Sequence, residues 1–108
     1  MARAQSVRLR NEGRLDRSRL PRGEEEVAEY YRTQGTVLKG RGEWRDALCP
    51  FHGDTHPSLR VNVRTGAFRC MACGVNGRDC LAFHMTLHRM AFKDAARDLN
   101  AWEAHHVG

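Results

Sequence analysis

Two short clusters of sulfur and imidazole donors constrain this chain more than anything else in it. Cys49-Pro50-Phe51-His52 and Cys70-Met71-Ala72-Cys73 each hold two metal-competent side chains separated by two residues. A tight turn with that spacing aims both side chains at one ion, and two such turns complete a tetrahedron. Three thiolates and one imidazole suit Zn²⁺, which has no d-electron geometric preference and accepts mixed S/N donors. Cys49, His52, Cys70 and Cys73 are therefore the candidate ligands of one Zn²⁺. Four protein donors leave no coordination position for a water, so the expected role is structural, not hydrolytic. Four unconnected core or surface residues would leave the paired spacing to chance.

At 108 residues the chain is one domain with at most a tail. A core this small is commonly supplemented by a metal. Four cysteines also suit disulfides in a secreted protein, but the N-terminus lacks an apolar h-region and no stretch approaches a membrane span. The expected setting is a reducing cytoplasm, with neither a membrane nor a small-molecule substrate as partner. A net charge of +5 and a pI near 9.5 point to a polyanion instead. Residues 1–23 hold seven arginines against Glu12 and Asp16, which equals the whole net charge. They read as a disordered basic arm, either a tail without a partner or a segment lying along phosphates. A transit peptide fits less well because acidic residues interrupt the run.

The domain proper is expected over 24–102, with 103–108 a flexible tail. Glu24, Glu25 and Glu26 face the positive end of a helix dipole, and Val27, Tyr30 and Tyr31 give the helix over 24–34 an apolar side. Residues 36–39 and 43–48 read as strands around the turn at 40–42. Over 58–63 the alternation is clean, with Leu59, Val61 and Val63 on one side and Arg60 and Asn62 on the other, joined there by Arg64. Thr65-Gly66 turns the chain, and 67–70 returns with Phe68 inward and Arg69 outward. Helical periodicity follows over 78–89 and 92–101, with Asp79 as a cap for the first helix and Trp102 packing the second. The class is a small α+β zinc ribbon: antiparallel strands, an N-terminal helix and a C-terminal helical pair.

The run Cys49-Pro50-Phe51-His52, Pro57-Ser58-Leu59-x-Val61, Gly66-x-Phe68-x-Cys70-x-x-Cys73-Gly74, Gly77-x-Asp79 and Phe83 resembles the N-terminal zinc-binding domain of bacterial, DnaG-type DNA primases. The likeness covers roughly residues 25–102. It implies a zinc ribbon that binds single-stranded template, helps choose where primers start, and works beside a separate catalytic domain in DNA replication. Three positions depart from the usual pattern: His56 where Thr is common, Met71 where an aromatic is common, and Arg69 where His is common. No Asp-x-Asp or comparable carboxylate cluster for two metals is found. The expectation is a non-catalytic module whose catalytic centre lies on another chain, with a primase catalytic subunit or a helicase as its protein partner.

The nucleic-acid reading names Arg60, Arg64 and Arg69 as a basic hairpin face, Lys39, Arg41 and Arg45 as an extension of it, and Trp44 as a stacking residue whose face the short strand leaves open. A solvated polar strand face is the plain alternative. A different class of function is a zinc-ribbon adaptor that binds protein through the acidic helix start and the helical C-terminal half. Cys80 reads as a small buried hydrophobe. His84 and His88, four apart, read as ordinary surface or partly buried histidines, and His56 lies four residues too late for the first knuckle.

Overall fold

The computed structural model describes residues 13–53 and 55–104. Its centre is a four-stranded antiparallel sheet in the order β2-β3-β4-β5. The strands are β2 (Trp44–Ala47), β3 (Leu59–Asn62), β4 (Phe68–Cys70) and β5 (Asn76–Gly77). Alternation along β3 and β4 buries Leu59, Val61, Phe68 and Cys70 on one face while Arg60 and Arg69 stay outside. Helix α1 (Glu24–Thr33) covers the inner face with Val27, Tyr30 and Tyr31. Its first turn holds Glu24, Glu25 and Glu26, opposite in sign to the local dipole end. The Tyr31 hydroxyl donates to Gly66 O at 2.8 Å, and its ring meets Phe83 at a centroid distance of 4.4 Å. Gly66 sits at φ 87°, and a Cβ there would come within 2.8 Å of Cys80 Sγ, so the hairpin turn needs a glycine twice over.

Helix α2 (Cys80–His88) is capped by Asp79, whose carboxylate accepts from Ala82 N–H at 2.9 Å. Its apolar residues do not form one stripe, because it lies between two cores. Cys80 and Phe83 join the sheet core, while Leu81 joins a second cluster with Ala95, Ala96, Ala101 and Leu20. Helix α3 (Phe92–Asp98) supplies two of those alanines. It ends three residues earlier than the periodicity suggests, and Asn100 then turns at φ 62°.

The sequence reading makes residues 1–23 a disordered arm, yet residues 13–23 are built into the domain. Strand β1 (Gly13–Leu15) pairs antiparallel with β6 (Trp102–Ala104), and Arg17–Arg19 form a single 3₁₀ turn capped by Asp16. Leu20 is 4% exposed and Leu15 packs on the same cluster. Two leucines among the arginines suffice to anchor the segment, because α2 and α3 offer them a ready apolar surface. For the same reason Glu103 and Ala104 belong to a strand instead of a flexible tail, and Trp102 is a strand residue. The parts of both expectations that fall on residues 1–12 and 105–108 lie outside the described residues. The strand expected at 36–39 reduces to one bridge, Lys39 with Asp46. No described helix is long and apolar enough to cross a membrane.

Leu20→Ala is expected to lower unfolding stability of the zinc-loaded protein by about 2–4 kcal/mol in urea denaturation. A loose arm would show no change.

Candidate metal centre and the sheet face beside it

The two knuckles sit at one end of the sheet, where Leu59 pairs with Cys70. The second knuckle turns immediately after β4. Gly74, at φ 84°, closes it by donating its N–H to Cys70 O at 2.9 Å. The turn also directs donors at sulfur: Cys73 N–H and Ala72 N–H approach Cys70 Sγ at 3.3 and 3.4 Å. Burial raises the Cys70 thiol, but the Cys73 N–H, the Ser58 hydroxyl, His52 and the Ala72 N–H together outweigh it and draw its pKa below the usual value. Cys49 moves the other way. Burial, aided by the Cys70 and Cys73 sulfurs, pushes it up against one helping N–H from Phe51. The backbone N–H groups of the second knuckle thus favour the thiolate form of Cys70.

The one ligand atom of each of Cys49, His52, Cys70 and Cys73 lies within 4.8 Å of all the others. Cys49 Sγ and Cys73 Sγ are 3.9 Å apart, and His52 Nε2 is 3.3 Å from Cys70 Sγ. Tetrahedral Zn–S bonds put two sulfurs about 3.8 Å apart, and a mixed S/N edge is about 3.5 Å. The donor set and its spacing fit one zinc ion. When bound, Zn²⁺ supplies a closed, four-coordinate crosslink between the knuckles and no open position for a substrate. Among the described residues this is the one cluster of three or more His, Cys, Asp or Glu side chains suited to a metal.

The other candidate ligands are placed elsewhere. His56 is exposed in the loop after the first knuckle and outside the cluster. Cys80 is fully buried, and burial followed by the Asp79 charge raises its thiol well above the usual range, so it is inert packing. His84 is 3% exposed and ties three helices together. Its Nε2 lies 2.6 Å from Asp98 Oδ2 and its Nδ1 lies 2.7 Å from the Tyr30 hydroxyl. His88 instead meets Gln34 Oε1 at 2.6 Å.

The outer face of the sheet begins beside the second knuckle. Cross-strand register lines up Asp46, Arg60, Arg69 and Asn76, with Trp44 two residues from Asp46 on the same side. Trp44 is therefore an outward residue, 45% exposed. It lines a shallow depression of about 290 Å³ with Arg60, Arg69 and Met71. Met71 is 66% exposed and was missed as a surface contact, although its place inside the knuckle was visible as a departure from the family pattern. Phe68 is core, 2% exposed and edge-on to Phe83.

The expected basic residues do not act alike. Arg60 Nε meets Asp46 Oδ1 at 3.0 Å, and Arg64 Nη2 meets Glu43 Oε2 at 3.1 Å. Arg45 lies on the inner side, mostly covered, with Nη2 on Glu24 at 2.9 Å and Nε on Gly42 O at 2.8 Å. Lys39 and Arg41 are exposed at the edge of β2. Arg69 has no acidic partner among the described residues and stands directly opposite Arg60.

A family model described as CHC2 zinc finger matches residues 25–107. The chain belongs to the CHC2 zinc-finger family. A DNA primase of Lactococcus lactis is 36% identical over 67 residues, covering 62% of this chain and 10% of that protein. The Gene 58 protein of Mycobacterium phage D29 is 42% identical over 55 residues, covering 51% of this chain and 42% of that protein. A solved Aquifex aeolicus primase structure, of zinc-binding and RNA polymerase domains, superposes with a TM-score of 0.60 at 28% identity. That match covers 80% of this CHC2 chain and 21% of the Aquifex chain. The CHC2 chain thus spans about a tenth of the length of the Lactococcus primase it matches.

Removing zinc with a chelator is expected to abolish cooperative unfolding, since a structural zinc in a small finger supplies about 10–16 kcal/mol. By metal analysis Cys80→Ala keeps one zinc per chain, whereas Cys70→Ala keeps none.

Proposed function

We propose that this chain binds single-stranded DNA template through the outer face of its sheet, as a non-catalytic part of primer synthesis in DNA replication. One observation carries the reading: an exposed Trp44 shares a depression with Met71, Arg60 and Arg69, which has no acidic partner among the described residues. A half-exposed indole on a strand offers a base a stacking platform, worth roughly 1–3 kcal/mol. Duplex DNA keeps its bases stacked internally, so such a platform favours single strands. Arg69 is the phosphate contact with most to offer. Arg60 brings less net charge because Asp46 shares its face, and Arg64 and Arg45 are each engaged by a glutamate. Lys39 and Arg41 extend the positive edge beyond β2.

The metal centre serves this face indirectly. Cys70 ends β4 and Met71 follows it inside the knuckle, so the crosslink that holds the ligands also holds Met71 and Arg69 against Trp44. Zinc is structural in this reading, and primer synthesis itself belongs to a separate catalytic domain, in the cytoplasm, with a helicase as a further partner. A protein adaptor is the second reading. An apolar groove of about 330 Å³ lined by Val37, Ala47, Leu48 and Pro57 favours it, with Val37 57% and Leu48 54% exposed.

Fluorescence anisotropy with labelled single-stranded and duplex DNA tests the reading. Trp44→Ala is expected to weaken single-strand binding about tenfold. Arg69→Ala is expected to reduce the slope of log affinity against log salt by about one. The Arg60→Ala effect is smaller, because Asp46 already offsets that charge. Absence of single-strand binding at moderate salt would move the assignment to the adaptor.

A further inference from the structure

A second concave surface lies at the opposite end of the sheet from the zinc ligands. It is bounded by the segment before α1, the β3–β4 turn and the start of α2. Its volume is about 520 Å³, and Arg17, Arg22 and Arg64 line it together with Gly23, Thr65 and Asp79. Three arginines and one aspartate thus line the same cavity.

The cleft is held in shape by its own bonds. Gly23 N–H donates to Arg64 O at 3.0 Å and ties the segment before α1 to the hairpin turn. Arg17 Nη1 donates to Asp79 Oδ2 at 3.0 Å, while Oδ1 of the same carboxylate caps α2. Glu43 Oε2 accepts from Arg64 Nη2 and Nε at 3.1 and 3.3 Å. A guanidinium has five N–H donors, so each carboxylate fixes one edge of its arginine and leaves the rest available. The Arg22 guanidinium has no acidic partner among the described residues. Its backbone N–H donates to Glu26 Oε1 at 3.2 Å, which anchors the residue through its main chain. Two steadied arginines and one unpaired arginine around a cavity suit an oxyanion that accepts forked hydrogen bonds.

We propose that this cleft is a second anion site that takes a phosphate group, separate from the outer face of the sheet. The phosphate belongs either to the backbone of a bound strand or to the polyphosphate of a free nucleotide; both present the same oxygens. The site does not depend on base stacking at Trp44 and shares only Arg64 with the residues named for the basic hairpin face and its extension.

The zinc-loaded chain, labelled with nitrogen-15, is titrated separately with inorganic triphosphate and with a short oligothymidylate while NMR follows each signal. Saturable shifts are expected at the Arg17 and Arg22 Nε–H groups and at the Gly23 and Thr65 N–H groups. Arg22→Glu is expected to raise the Kd read from these signals about tenfold, with zinc content unchanged. Shifts with triphosphate indicate the nucleotide source, and shifts with the oligonucleotide alone indicate the strand backbone. No saturable shift in the cleft with either probe, or undiminished binding by Arg22→Glu, overturns the proposal. The Trp44 indole and Arg69 signals score the sheet face in the same oligonucleotide titration, so either site can fail without the other.

Discussion

The tetrahedral meeting of Cys49, His52, Cys70 and Cys73 is the constraint on which the sheet depends. Strands of two to four residues have little cross-strand area with which to hold register, and the inner core is built from a handful of apolar side chains. Joining the loop before β3 to the end of β4 through one ion removes the slack between them. It does so at the end of the hairpin opposite the Thr65–Gly66 turn, so both ends of β3 and β4 are pinned. The N–H groups aimed at Cys70 show how the knuckle's backbone readies a thiolate for that role.

From the pinned hairpin the two faces acquire separate duties. The inner face packs Leu59, Val61 and Phe68 against Tyr31 and Phe83 in edge-to-face aromatic contacts. The outer face is left with Arg60 and Arg69 opposite one another, a pairing of like charges that is unfavourable by itself. Asp46 relieves it by engaging Arg60, and Arg69 is left as the residue with charge to spare. A surface that keeps a like-charge pair beside an exposed tryptophan fits a partner bringing negative charge and flat apolar rings.

Much of the site could be read locally. Ligand spacing depends on two turns, each four residues long, and the alternation of 59–63 depends on nothing outside the strand. Helix α1 was legible from Glu24–Glu26 and the Val27/Tyr30/Tyr31 spacing, and Asp79 as a cap from its place before an apolar run. Residues 13–23 look like part of a loose arm in the sequence because their charge hides Leu15 and Leu20, which pack on a surface made by α2 and α3. The β1–β6 pair joins residues about ninety positions apart through three residues on each side, too little pattern for either strand to announce the other.

Composition and spacing by themselves determined a donor set for one closed metal site, a period-two hairpin with a basic side, and helices before and after it. These follow from interactions among near neighbours, which a linear pattern records. Tertiary structure alone decided which arginines have an acidic partner among the described residues. Arg45, Arg60 and Arg64 look equivalent to Arg69 in the sequence, but Glu24, Asp46 and Glu43 reach them only when the strands are in register and α1 is docked. It also decided that Trp44 faces outward and that Arg17, Arg22 and Arg64 share one cleft. Electrostatic balance depends on distance in space, and the fold sets that distance.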